Sequence, residues 1–97
     1  MSQRRVAVAA AEGLHARPAA LFVKAAAGTG IAVTVGKADG PAVDARSILA
    51  VLSLDVRHGD EVVLSAEGPG ADEALDRLAA LLAGETVHSG QSGDGGG

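Results

Sequence analysis

The spacing of apolar and polar residues along this chain predicts seven elements. Val6, Ala7 and Val8 lie within a short apolar run, and Arg5 to Ala9 reads as a strand. Ala16 to Ala27 is alanine-rich, with Leu21 and Phe22 inside it, and reads as a helix stopped by Gly28 and Gly30. Ile31, Val33 and Val35 recur with the period of two that marks a strand over Ile31–Val35. Gly36 to Gly40 reads as a turn. Pro41 to Ala45 then makes a short edge strand, because Pro41 has no N–H to give to a ladder. Ser47 stands in capping position before the apolar run Ile48–Leu52, a short helix. His58-Gly59-Asp60 is a turn, and Glu61 to Glu67 a strand with Val62, Leu64 and Ala66 on one face. Gly68-Pro69-Gly70 breaks the chain. A last helix runs from about Ala71 to Ala83. Asp72 and Glu73 in its first turn suit the helix dipole. Ala74, Leu75, Leu78, Leu81 and Leu82 form its apolar stripe, and Gly84 ends it.

The order βαββαβα carries a fold. Ile31–Val35 and Pro41–Ala45 flank a short turn and predict a hairpin. One apolar stripe per helix predicts helices on a single sheet face. An α+β open-faced sandwich with a largely antiparallel sheet follows. Its other face is expected to be wet, with Thr34, Asp44, Ser65 and Glu67 on it.

Composition narrows the class. The 97 residues suit one domain, and Glu85 to Gly97 is rich in glycine and serine, which predicts a flexible tail after a domain of residues 1–84. Phe22 is the one aromatic residue, so the core is aliphatic. A net charge of −4 disfavours nucleic acid, and the absence of cysteine excludes disulfides and thiolate chemistry. No segment approaches membrane-span length, so a soluble, cytoplasmic protein with no membrane partner is the expectation. Spacing among His15, His58 and His88 suggests no metal site, and both His58 and His88 read as solvated.

The chemistry concentrates in Gly13-Leu14-His15-Ala16-Arg17-Pro18-Ala19-Ala20. Pro18 belongs in a first helical turn, where a missing N–H costs nothing. His15 therefore sits at an open helix N-terminus, where free amides and the positive end of the dipole converge. A helix N-terminus disfavours imidazolium, and a neutral imidazole is nucleophilic. The N–H groups of Ala16 and Arg17 are candidate phosphate donors, and the Arg17 guanidinium a candidate clamp. Together they make a place to put a phosphoryl group on a histidine and hold it.

This run resembles the active-site signature of the HPr family, histidine-containing phosphocarriers of the bacterial phosphoenolpyruvate-dependent sugar phosphotransferase system. Phe22-Val23-Lys24, Arg46-Ser47-Ile48, Ser53-Leu54 and Ser65-Ala66-Glu67-Gly68 extend the likeness over residues 4 to 83. The resemblance implies a four-stranded antiparallel sheet covered by three helices. It implies that His15 takes phosphate on Nδ1 from phospho-enzyme I and passes it to enzyme IIA domains, with Arg17 beside the phosphate. Such a protein is a relay rather than a stand-alone enzyme, needs no cofactor, and is expected to be monomeric.

The resemblance also marks Ser47 as the position a dedicated kinase phosphorylates in some members. It implies a partner surface of Ala20, Lys24, Leu49 and Leu52. The residues agree in part, because Ile48, Leu49, Val51, Leu52 and Leu54 are too many for one buried face of so short a helix. Lys24 and Arg46 are candidate rim charges for acidic partners. Three positions depart from the family pattern. Glu12 replaces a small polar residue before Gly13, and Ala27 and Ala50 stand where lysine is frequent. Two alternatives stay open: a carrier in a parallel nitrogen-related or dihydroxyacetone kinase relay, and a regulatory module that meets a serine kinase or transcriptional regulators through Ser47.

Overall fold

The seven elements form in the predicted order, in a computed structural model that describes residues 1–84. Residues 85–97, expected from composition to form a flexible tail, lie outside the described residues, and His88 with them. The elements are β1 (Ser2–Ala7), α1 (Ala16–Gly28), β2 (Val33–Lys37), β3 (Ala42–Asp44), α2 (Ile48–Ser53), β4 (Glu61–Ala66) and α3 (Ala71–Leu82). The strands make one antiparallel sheet in the order β1-β4-β2-β3, so the hairpin is real and β1 and β3 are its edges. Together with the three helices this is the open-faced sandwich.

Register explains the two faces. Leu64 lies opposite Val35 on one side and Arg4 on the other, and it is buried on the helix side with Val33, Val62 and Ala66. The opposite face carries a polar row in which Asp44 pairs with Thr34, Thr34 with Ser65, and Ser65 with Gln3. Phe22 and Ala26 of α1, Val51 of α2, and Leu75, Leu78 and Leu82 of α3 close the core above the sheet. Among the described residues no polar or charged side chain is buried.

Several boundaries differ from expectation. The first strand is Ser2–Ala7 rather than Arg5–Ala9, because Gln3 and Arg4 pair fully with β4 despite their polarity. Arg4 occupies the helix side, where it binds Asp76 at 2.7 Å and Asp72 at 3.5 Å, a clasp between β1 and α3. The second strand starts at Val33 rather than Ile31 and runs through Gly36 and Lys37, where a turn was expected. Gly36 fits the ladder because it lacks a side chain; a Cβ there would lie 2.5 Å from the Pro41 carbonyl oxygen. Leu81 departs from the buried stripe of α3 and is 37% exposed, while Ala71 joins the core.

Ser47 caps α2 as expected, its hydroxyl accepting from the Ala50 amide at 3.3 Å. Ser47→Ala should cost about 1 kcal/mol, which for a domain of this size lowers Tm by roughly 4–8 °C. A calorimetric scan with an unchanged Tm would contradict that role.

Surface carboxylates set the acid limit. Asp44 is held below the usual carboxylate range chiefly by its hydrogen bond from the Arg46 side chain, and Asp60 chiefly by the Arg57 amide. Asp72 is lowered chiefly by the Ser2 hydroxyl, then by Arg4. Groups with lowered folded-state pKa values stabilise the fold above their unfolded pKa and lose that contribution as pH falls through the folded value. The urea midpoint should therefore be level from neutrality to about pH 5 and decline below about pH 4. The decline should be modest, since exposed pairs are weak; a midpoint that rises on acidification would refute it.

Candidate functional site

Two backbone clamps hold the loop between β1 and α1. Gly13 adopts a φ of +68°, and its Cα faces the backbone of Val56 and Arg57 so closely that a Cβ would lie 2.6 Å from the Arg57 Cα. The next amide, that of Leu14, donates to the Val56 carbonyl at 2.9 Å, and the Leu14 side chain is fully buried. The chain then rises to His15, the N-cap residue of α1, with φ −131° and ψ 163°. The His15 side chain makes no capping hydrogen bond. It is left 39% exposed.

Ala16 follows with a φ of +53°, a left-handed conformation that alanine rarely adopts. The twist falls at the first position of the helix. Among the described residues neither the Ala16 nor the Arg17 amide has a hydrogen-bond partner, which leaves two donors beside His15. Pro18 sits in the first turn, as expected. Arg17 is exposed and forms no ion pair among the described residues. Glu12 is also exposed and shares a shallow depression with Ala16, Arg17, Pro18 and Leu21.

Sequence reasoning missed Asp55. Its Oδ1 lies 3.3 Å from His15 Nε2, and its Oδ2 accepts from Arg57 at 3.1 Å. Arg57, and after it His15, hold the Asp55 carboxyl below the usual range. No spacing in the chain joins residues 15 and 55. The available signal was an aspartate just beyond Leu54, the C-cap of α2, a place where glycine is favoured.

The expected partner-facing residues divide. Ala20 and Lys24 lie exposed on α1, which packs against α2. Ile48 is 38% and Leu49 78% exposed on α2. Leu52, expected on the same surface, is half-buried and packs against the core. Val51 is buried and Leu54 partly so, which resolves the surplus of apolar residues on this short helix. Arg46, expected as a rim charge, is engaged by both oxygens of Asp44 at 3.1 and 3.3 Å. Among the described residues Arg17 and Lys24 form no ion pair, and they supply the free positive charge here. His58 is exposed. No helix among the described residues is long and apolar enough to cross a membrane.

Comparison with known proteins shows the family and the fold. The family model described as the HPr component phosphorylation site of the phosphotransferase system matches residues 2–84. The phosphocarrier protein HPr of Streptomyces coelicolor is 57% identical over 83 residues, covering 86% of this chain and 89% of that protein. The crystal structure of HPr from Bacillus anthracis superposes with a TM-score of 0.79 at 42% identity, covering 84% of this chain and 95% of that one. Bacillus subtilis Crh, a catabolite-repression protein crystallised as a swapped dimer, gives a TM-score of 0.70 at 44% identity over 91% of this chain and 100% of that one. With nearly every described residue matched and the fold shared, this chain belongs to the HPr family of phosphocarriers of the phosphotransferase system.

Proposed function

We propose that His15 accepts a phosphoryl group from phospho-enzyme I and donates it to enzyme IIA domains in sugar uptake. The observation that carries this reading is a half-exposed imidazole at a helix start, flanked by two amides and an arginine that have no partner among the described residues. The imidazole lone pair attacks phosphorus, the bond from phosphorus to the donor breaks, and its electron pair returns to the donor. The Ala16 and Arg17 amides meet the charge on the phosphoryl oxygens; preorganised donors of this kind are worth roughly 3 kcal/mol each in a transition state. Arg17 adds a fixed guanidinium. A shallow site suits a relay, because two partners must reach the same atom in turn.

Docking falls to the exposed surface beside His15. Ala20, Lys24, Ile48 and Leu49 offer small and aliphatic contacts with one free positive charge, which fits an apolar partner patch with an acidic rim. The same reading takes the carrier to be a cytoplasmic monomer. The test is incubation with enzyme I and labelled phosphoenolpyruvate, followed by a sugar-specific enzyme IIA. Acid-labile label that moves to the enzyme IIA is expected. An unlabelled protein overturns the reading, and label that stays on the carrier favours a parallel nitrogen-related or dihydroxyacetone kinase relay.

A regulatory role through Ser47 is a second reading, favoured by the structural likeness to Crh. Phosphate on this cap would add charge at the start of α2, beside Ile48 and Leu49, and change the docking surface. Under this reading Ser47→Asp alters transcriptional control while His15→Ala leaves growth on transported sugars intact; the opposite pattern excludes it as the main role.

A further inference from the structure

Asp55 takes a left-handed backbone conformation that suits glycine best and that aspartate is among the few other residues to tolerate. Its φ is +53°, and among the described residues only Ala16, beside His15, shares a positive φ without being glycine. The chain reverses here at the end of α2, with the Leu54 amide donating to Val51 and the Asp55 amide to Leu52 at 3.2 Å. Glycine makes this turn at the least conformational cost. Strain kept near a reactive group points to a use for the side chain.

The side chain has two partners. Oδ1 lies 3.3 Å from His15 Nε2, and Oδ2 is held by Arg57 at 3.1 Å. Val56, fully buried between them, anchors this stretch, and the Gly13–Leu14 loop docks on its carbonyl. The approach of Asp55 to the imidazole is thus fixed from both chain segments. A carboxylate only accepts, and a neutral imidazole has one N–H and one lone pair. A carboxylate at Nε2 therefore favours the N–H there and leaves the lone pair on Nδ1.

We infer that Asp55 is the positioning residue of the phosphoryl-transfer step: its carboxylate beside Nε2 of His15 favours the proton on that nitrogen, directs phosphorylation to Nδ1, and faces the positive charge that develops on the ring. This inference rests on the phosphocarrier reading of His15. In the step the Nδ1 lone pair forms the N–P bond while the donor N–P bond breaks, its electron pair returning to the donor nitrogen. The ring keeps its Nε2–H and becomes a phosphoimidazolium opposite the Asp55 carboxylate. On transfer to an acceptor the electron pair returns to Nδ1, and the neutral imidazole is restored. The same Asp–His relation, a carboxylate that orients the ring and stabilises the imidazolium, operates in hydrolase triads. Repulsion adds to the selection, because a phosphoryl dianion on Nε2 would sit against the carboxylate.

Asp55→Gly relieves the backbone and removes the carboxylate, so fold stability and site chemistry separate. The site is probed with phosphoramidate, a small N–P donor that needs no protein docking, and the isomer formed is read by phosphorus NMR. Wild-type protein should carry label on Nδ1 alone. Asp55→Gly should give both isomers and accept phosphate from phospho-enzyme I roughly tenfold more slowly, equivalent to about 1.4 kcal/mol of lost transition-state stabilisation, with Tm unchanged or raised. Asp55→Asn should also slow transfer, since the amide carries no charge. Unchanged regiochemistry and rate in Asp55→Gly would overturn the role of Asp55 alone. A wild-type His15 that takes no label from either donor would overturn the phosphocarrier reading beneath it.

Discussion

His15→Ala should abolish acid-labile labelling by enzyme I and phosphoenolpyruvate while leaving the fold unchanged. The effect is all or none, because among the described residues no second nucleophile stands at this helix start. His58 is exposed, but its neighbours in the turn, Arg57 and Asp60, are occupied by Asp55 and Lys37. The His15 side chain makes no capping hydrogen bond and is 39% exposed, so its loss removes little packing. Tm should move by no more than a few degrees, which separates lost chemistry from lost structure. Residual label at wild-type level in His15→Ala would relocate the acceptor and dismantle the proposed site. Arg17→Ala should slow transfer without abolishing it, since the two amides remain.

Gly13→Ala should be the most damaging small substitution near the site. The new Cβ would press on the Val56 carbonyl and lie 2.6 Å from the Arg57 Cα, and both obstacles are backbone. No side chain can swing away, so one of the two segments must shift. A left-handed φ costs alanine about 1–2 kcal/mol, and overpacking typically adds about 1–3 kcal/mol. Set against a total stability of roughly 5–15 kcal/mol for a small domain, this is a large fraction. The urea midpoint should drop accordingly. The transfer rate should fall further than unfolding explains, because the displaced segment carries Asp55 away from His15. Gly28→Ala is the control: a Cβ there meets nothing within 4 Å, so stability should hold or rise. Equal midpoints for the two variants would show that the Gly13–Val56 contact is unimportant.

Much of the architecture was legible because its signals are local. Period-two valines, a capping serine before an apolar run and glycine stops act within a few residues of chain, and each produced an element of the expected type. The errors came where a neighbour outweighed the local signal. Gln3 and Arg4 joined β1 because β4 offers partners along its whole length. Gly36 remained in β2 because the returning β3 chain requires a residue without a side chain. Leu81 reads as core by spacing, yet it lies at the rim of α3 beside Leu21, along an apolar groove that no other described residue fills.

The site divides along the same line. The sequence alone determined that an imidazole stands at a helix start with an arginine two residues on, because Gly13 and Pro18 constrain the chain within that run. It also determined the alternation that makes one sheet face apolar and the other wet. Only the tertiary structure decided that Asp55 meets His15, that Arg46 is consumed by Asp44, and that Leu49 rather than Leu52 faces outward. Local conformation depends on a residue and its near neighbours. The meeting of Asp55 with His15 depends on strand order and on how the Gly13–Leu14 loop docks against Val56, contacts between residues some 40 positions apart that no short pattern encodes; Arg46 and Asp44 are near neighbours in the chain, and the turn after β3 brings their side chains together.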